Sequence, residues 1–311
     1  MICSEAIGLY RFGSMTVSAN FSFTHATPID PVAGAYPDVS IELTRKDETP
    51  KSPFYHDDHI IAGDQDFYFR VSDALAFRIR NGAHISIYCS GSAGESDIML
   101  YLVGSAWGVL CHQRGLLPFH CSAIGVGNNS IALTGASGAG KSTLAAGLMC
   151  RGYSHICDDV GVLRPKANTV CLHPLEKGLK LWADAANTLN LPRGRRAGTD
   201  PAFDKYFVDT NSRLAQSELP LKEIFVLHES QSREFSVSVI RGTAKFDALL
   251  SNIYRSEWLP LLRKPGDVFQ DIQRLLPSLR IFRFTRPRDL GLLDDSISFL
   301  ETHLDSYAET A

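Results

Sequence analysis

The residues from Gly135 to Ser142, GASGAGKS, match the pattern G-x-x-x-x-G-K-[ST] at every position. Glycines permit backbone angles in which successive N–H groups point into one concavity. A helix starting near Lys141 adds its dipole and its free N–H groups at the same place. Gly135, Ala136, Ser137, Gly138, Ala139 and Gly140 would then form a phosphate cradle. Lys141 can neutralise the β- and γ-phosphates, the Ser142 hydroxyl can ligate Mg²⁺, and Thr143 can assist through its hydroxyl or backbone. The expected ligands are ATP and Mg²⁺. A chance glycine-rich turn is disfavoured because an apolar strand precedes the loop and a helix over 142–151 follows it.

Two adjacent carboxylates, Asp158 and Asp159, come soon after that helix. Gly152 allows the helix to end, YSHIC forms a short strand, and the acid pair sits at its C-terminal end. Ligands gather at that end of the strands in parallel α/β sheets. Neighbouring residues on a strand face opposite ways, so the two acids are expected to do different jobs. One could take a proton from an attacking hydroxyl; the other could hold Mg²⁺, directly or through water. A capping aspartate beside a solvated one is the plain alternative, and a phosphate loop close by weighs against it. The combination suits phosphoryl transfer to an alcohol, in which catalysis is mostly positioning and charge neutralisation.

These groups need a sheet to hold them. The chain reads as α/β, with a β-rich N-terminal domain over 1–95 and a P-loop catalytic domain over 96–311. DVSIELT alternates at period two, and DFYFRVS, AFRIR and ISIYC are further strands. The apolar run Ile98–Cys111 is too short for a confident membrane span and reads as a buried helix, capped by Ser96 or Asp97 and ended by Gly115. FHCSAIGVGNNSIALTG reads as two strands joined by a hairpin turn at Gly127-Asn128-Asn129-Ser130, the second strand, Ile131–Thr134, running into the loop. Further on, LKEIFVLHE and FSVSVI are strands, and TAKFDALLSNIYR and RDLGLLDDSISFLETHL have helical spacing. His56, Asp57, Asp58 and His59 form an exposed polar turn in preference to a metal site, because the sequence places no third ligand beside them.

Bulk composition fits this picture. The chain has 311 residues, 44% hydrophobic and 21% charged, with net charge −3, which argues against a dedicated nucleic-acid binder. Seven scattered cysteines include no CxxC pair, so reduced thiols in a cytosolic protein are expected. The N-terminus lacks the basic flank and apolar run of a signal peptide, and no membrane partner is expected.

The stretch LLPFHCSAIGV…LTGASGAGKSTLAAGLMCRGYSHICDDVGVL resembles the catalytic domain of HPr kinase/phosphorylase. The likeness lies in a histidine-bearing strand before the loop, the loop itself, and an Arg-Gly-aromatic helix end leading to Asp-Asp. It is strong over 112–165 and fainter through LEKGLKLW, PLKEIFVL and FRFTRPRDL. His120 lies 21 residues before Lys141, and Asp158 lies 17 after it. The resemblance implies that Asp158 is the general base, that Asp159 is a metal-side carboxylate, and that His120 orients or tunes the base. Residues alone would favour a buried structural histidine at 120. The chain departs from the family at Thr143, where an acidic residue is usual, and in Glu176-Lys177-Gly178-Leu179-Lys180, which only echoes a family signature. It is more similar to divergent HPr-kinase-like proteins, some of which phosphorylate the C-terminal serine of lasso-peptide precursors. The implied partner is a peptide or protein with an acceptor serine, and homo-oligomers are usual in the family.

Among the other basic residues, Arg193, Arg195 and Arg196 sit in a loop that could close on phosphates or hold an acidic peptide tail, or could simply be solvated. Lys177, Lys180 and Lys205 are weaker candidates of the same kind. Arg280, Arg283, Arg286 and Arg288 read as a solvated strand face and its exit, and Trp107, Trp182 and Trp258 as packing residues. Two other functions compete with a serine kinase. A small-molecule kinase of the shikimate or gluconate type also places acids soon after GKST, but usually begins close to its loop; here 134 residues precede Gly135. A nucleotide-binding regulator without turnover would not need the base.

Overall fold

The computed structural model describes residues 7–31, 36–91, 93–167, 169–175, 178–200 and 202–308, with side chains to Leu304. Glu176 and Lys177 fall outside the described residues. Contacts divide the chain into two compact units. The first draws on Met1–Pro118, Arg195–Phe203 and Tyr254–Phe269; the second on Phe119–Gly194, Asp204–Ile253 and Gln270–Ala311.

The first unit is built on one sheet. Its strands are β1 (Gly8–Phe12), β2 (Met15–Ala19), β3 (Thr27–Pro28), β4 (Val39–Thr44), β5 (Tyr55–His56), β6 (Ile60–Gly63), β7 (Asp66–Ser72), β8 (Leu75–Arg80) and β9 (His84–Cys89). They lie in the order β3-β1-β2-β4-β9-β8-β7-β6-β5. Within this sheet, only the β2–β4 and β4–β9 pairings are parallel among the described residues. Alternating burial along β4 is the period-two pattern read in DVSIELT, and β2 alternates in the same way. The apolar run forms α1 (Glu95–Tyr101) and α2 (Trp107–Gln113), joined by one π-helical stretch over Leu102–Ala106. Trp107 is fully buried and packs edge-on against Phe12 at 4.6 Å. The cap differs from expectation: Gly94 holds that position, and Asp97 instead accepts hydrogen bonds from the Thr199 amide and hydroxyl. Gly115, at φ +69°, does end the helix. The His56–His59 segment is an exposed turn in which Asp57 accepts from the Tyr55 hydroxyl and the amides of His59 and Ile60.

The second unit is α/β. After β10 (Leu117–Phe119) come β11 (Cys121–Val126), β12 (Asn129–Thr134), α3 (Lys141–Cys150), β13 (Ser154–Cys157), β14 (Gly161–Lys166) and β15 (Thr169–Leu172). Then follow β16 (Gly178–Trp182), α4 (Ala183–Thr188), β17 (Lys205–Asp209), β18 (Leu219–Glu229), β19 (Ser236–Val239) and α5 (Thr243–Leu250). The short α6 (Leu259–Leu262) and the start of α7 (Pro265–Leu275) belong to the first unit, and the chain returns to the second for β20 (Arg280–Arg286) and α8 (Leu293–Ala308).

β11 and β12 form the expected hairpin, turning at Gly127 with φ +57°. β12 pairs in parallel with β18, and β18 in parallel with β20. β13 is antiparallel to β11, and so runs in the direction of β12. Four strands, β12, β13, β18 and β20, thus end at one edge of the sheet. β12 is buried along almost its whole length because α3 and α8 share the core with it, through Leu133, Leu144, Leu148, Ile297 and Leu300. No helix among the described residues is long and apolar enough to cross a membrane.

Candidate phosphate-binding site

The common edge of those four strands collects the chemistry. β12 delivers the glycine loop, β13 the two aspartates, β18 Glu229, and β20 Arg286 and Arg288; β11 starts there, immediately after His120. Two cavities open at this edge, of about 460 and about 850 Å³.

The loop adopts the conformation its glycines allow. Gly135 has φ +132°, and a Cβ there would stand 2.9 Å from the carbonyl oxygen of Leu227 on β18. Gly140 has φ +87°, and its Cβ would stand 2.3 Å from Nη2 of Arg286. Glycine at these two positions therefore sets both the angle and the clearance. Lys141 opens α3 and is buried; its Nζ donates to the carbonyls of Gly135 (2.9 Å) and Ala136 (3.1 Å). Burial pulls its pKa down, and Asp158 and Asp159 oppose that shift. Ser137, Gly138, Gly140, Lys141, Ser142 and Thr143 line the smaller cavity; Gly135, Ala136 and Ala139 line the larger.

The two aspartates are divided by a sharp turn. The amide of Val160 donates to the carbonyl of Asp158 at 2.9 Å, and Asp159 between them has φ +71°. This is a γ-turn with its central residue in the left-handed region, a strained arrangement that a short acid tolerates better than a branched side chain does. Asp158 points inward and is 1% exposed. It accepts from the Ser122 hydroxyl (2.6 Å), the Ser142 hydroxyl (2.7 Å) and the Lys180 amide (3.0 Å). Asp159 lines the smaller cavity. Its carboxylate lies 3.0 Å from Lys180 Nζ and 3.5 Å from His120 Nε2. Burial would raise Asp159, but Lys180 and His120 outweigh it and hold the carboxyl well below the usual carboxylate range. The expected base, Asp158, is thus the acid joined to the loop serine, and the expected metal-side acid, Asp159, is the one beside His120 and the cavity.

His120 lines both cavities and is not the buried structural histidine that residues alone suggested: its side chain is about 30% exposed. Lys180 and Lys205 both line the smaller cavity. Lys205 stacks over Trp182 at 5.0 Å, and burial lowers its pKa. Trp182 is 39% exposed, so it is a lining residue and not the packing residue expected. Arg193 stacks over Tyr206 at 5.1 Å and lines neither cavity, and Arg195 pairs with Glu95 at 2.7 Å within the first unit.

Several site residues carry no motif. Asn252 ties the loop entry to its surroundings: its Oδ1 accepts from the Thr134 hydroxyl (2.8 Å) and the Gly135 amide (3.1 Å), and its carbonyl accepts from the His120 amide (2.8 Å). Ser122 fixes Asp158. Arg286 departs from the solvated face expected for it: it is 5% exposed and donates to the Ala139 carbonyl at 3.0 Å. Its one sequence signal is its position at the C-terminal end of a strand beside Pro287.

The residues present fit a nucleoside triphosphate with Mg²⁺. The loop supplies a backbone cradle with no room for a Cβ at Gly140, and the Ser142 hydroxyl and Asp158 carboxylate supply adjacent hard oxygens. Mg²⁺ is held characteristically by one or two such groups plus substrate phosphates.

No family model matches the sequence, and no curated protein does. Among solved structures, the chain is similar to the Hpr(Ser) kinase/phosphatase from Coxiella burnetii, at 12% identity and a TM-score of 0.32, over 61% of this chain and 98% of that one.

Proposed function

We propose that the protein is an ATP-dependent kinase that transfers a phosphoryl group to a serine hydroxyl of a peptide or protein, with the C-terminal serine of a lasso-peptide precursor as the leading acceptor. The observation that carries the reading is one edge of one sheet bearing both a phosphate loop with its lysine and a separate carboxylate–histidine–lysine group facing the same cavity. Nucleotide binding alone does not require that second group.

ATP supplies the phosphoryl group when bound, and Mg²⁺ spreads the charge on its oxygens. The loop amides and Lys141 would hold the phosphates, and Ser142 with Asp158 would hold the metal. In this reading the base is Asp159 and not Asp158, supported by its place beside His120 and the cavity: Asp159 takes the serine proton on its carboxylate, while Lys180 and His120 fix its position. A carboxylate held well below its usual range is a weak base but is always ionised. It suffices because the transition state of phosphoryl transfer is loose and asks for little early proton removal.

The test is incubation with ATP, Mg²⁺ and candidate precursor peptides, with shikimate-like metabolites in parallel, followed by mass spectrometry for an added phosphoryl group. A phosphorylated serine supports the reading; phosphorylated metabolites with untouched peptides would replace it with a small-molecule kinase.

A further inference from the structure

Arg286 and Arg288 stand beside the glycine loop and line both cavities at the sheet edge, together with Glu229. Arg286 ends β20 and is 5% exposed. Its Nη1 donates to the Pro287 carbonyl (3.1 Å) and its Nη2 to the Ala139 carbonyl (3.0 Å), while its buried Nε has no partner among the described residues. The Nη2 of Arg288 would lie 3.4 Å from a Cβ at Gly138, and this side chain is exposed. Neither guanidinium pairs with a carboxylate among the described residues, and both line both cavities. Burial lowers the pKa of Arg286, the charge of Arg288 lowers it further, and Glu229 opposes both. A buried guanidinium resting on neutral carbonyls is costly, and an anion between the two arginines and the loop reduces that cost.

We infer that Arg286 and Arg288 complete the phosphate cradle from the β20 side, Arg286 as a positioning residue that fixes the loop through Ala139 and Arg288 as a direct ligand of the polyphosphate. This rests on the proposed nucleotide site but not on transfer. A Cβ at residue 140 would stand 2.3 Å from Nη2 of Arg286 and would push the guanidinium off its present contact with the loop. Its planar fork donates to two carbonyls at once, which a lysine cannot reproduce. Arg288, with solvent on one side and the loop on the other, is free to swing onto a phosphate oxygen, where guanidinium binds in a bidentate manner.

The experiment is calorimetric titration of the full chain with Mg·ATP and, separately, with inorganic tripolyphosphate. The variants are Arg288→Ala, Arg286→Ala, Arg286→Lys and Lys141→Ala, with the ligand-free melting temperature as a check on folding. Arg288→Ala is expected to lose tenfold or more in affinity for both probes at unchanged melting temperature. Arg286→Ala is expected to lose as much and to show faster hydrogen exchange at the amides of 138–141 before ligand is added, with Arg286→Lys restoring neither. If Arg286→Ala does not fold, the Arg286→Lys titration and Arg288→Ala decide. Arginine variants within twofold of wild type, while Lys141→Ala loses binding, would overturn the inference and leave the nucleotide site standing. Wild type and Lys141→Ala binding alike, or no binding by wild type, would overturn both.

Discussion

The sheet of the first unit and the loop edge of the second treat charge in opposite ways. On β7 and β8, Arg78 donates from Nε and Nη2 to both oxygens of Asp66 (2.9 and 2.7 Å), and Arg70 pairs with Asp47 at 2.7 Å. The Tyr68 hydroxyl donates to that same Asp47, which with burial pushes its pKa up. Asp47, Tyr68 and Arg78 line a hollow of about 170 Å³. At the loop edge, Lys180 pairs with Asp159, but Lys141 and Arg286 rest on backbone carbonyls, and Arg288 has no carboxylate partner among the described residues. Cations that rest on neutral acceptors around a glycine loop are the ones open to an anionic ligand. The strongest way to break this contrast is Lys141→Ala. Phosphoryl transfer is expected to fall by about 10³-fold or more, the scale of a lost charge clamp at a phosphoryl-transfer site. Retention of wild-type turnover, measured by release of ADP, would place Lys141 with the scaffold charges.

The next largest effect separates the two acids. Asp159→Asn keeps the size of the side chain and is expected to lose about 10²–10⁴-fold in transfer, the range for a general base, while nucleotide affinity stays within a few-fold. Asp158→Asn is expected to raise the Mg²⁺ concentration needed for half-maximal rate, because it weakens the group holding Ser142. The reverse pattern, with Asp158→Asn losing transfer at saturating Mg²⁺ and Asp159→Asn active, would return the base to residue 158.

The loop, the helix behind it, the hairpin before it and most strands were legible because each is written in local residue types. Glycine, lysine and serine at fixed offsets, Gly127-Asn128 and period-two runs need no distant partner. The orientation of the acids was not legible. Alternation along a strand predicts opposed side chains, but β13 ends at Cys157, and a γ-turn at Asp159 decides where its carboxylate goes. Arg286 was misread because β20 is buried on both faces, at Ile281, Phe282 and Phe284, so spacing could not tell an inward arginine from an outward one. Asn252 acts on the loop from beyond the end of α5, through contacts that no local pattern encodes.

A smaller effect compares the units in their response to acid. Each holds one histidine pushed down from 6.5 to about 4, chiefly by burial: His112 in the first, whose Nε2 meets the Tyr254 carbonyl at 3.0 Å, and His155 in the second, whose ring nitrogens have no partner. Both are neutral in the folded chain, and the unfolded chain binds the proton more readily. Their contribution is therefore complete above about pH 6.5 and lost as pH falls towards about 4. The loss is on the order of 3 kcal/mol for each at the acid end. Denaturant unfolding at pH 7 and at pH 4.5 should show it, and His155→Gln should flatten the dependence in the second unit. An unchanged slope between those pH values in the His155→Gln variant would mean that the ring does not titrate with unfolding.

The smallest effect is expected on the scaffold side. Arg78→Met removes a guanidinium whose side chain is 11% exposed and keeps most of its apolar length, leaving Asp66, at 21%, to solvent. A surface pair is worth little because water and salt screen it, and this bidentate, half-sheltered one should cost about 1 kcal/mol, less in 1 M salt. Transfer activity is expected to stay within twofold of wild type, since the charge that is lost had its partner within its own sheet. A tenfold loss of transfer at unchanged stability would put Arg78 among the functional cations and erase the distinction between closed and open charge.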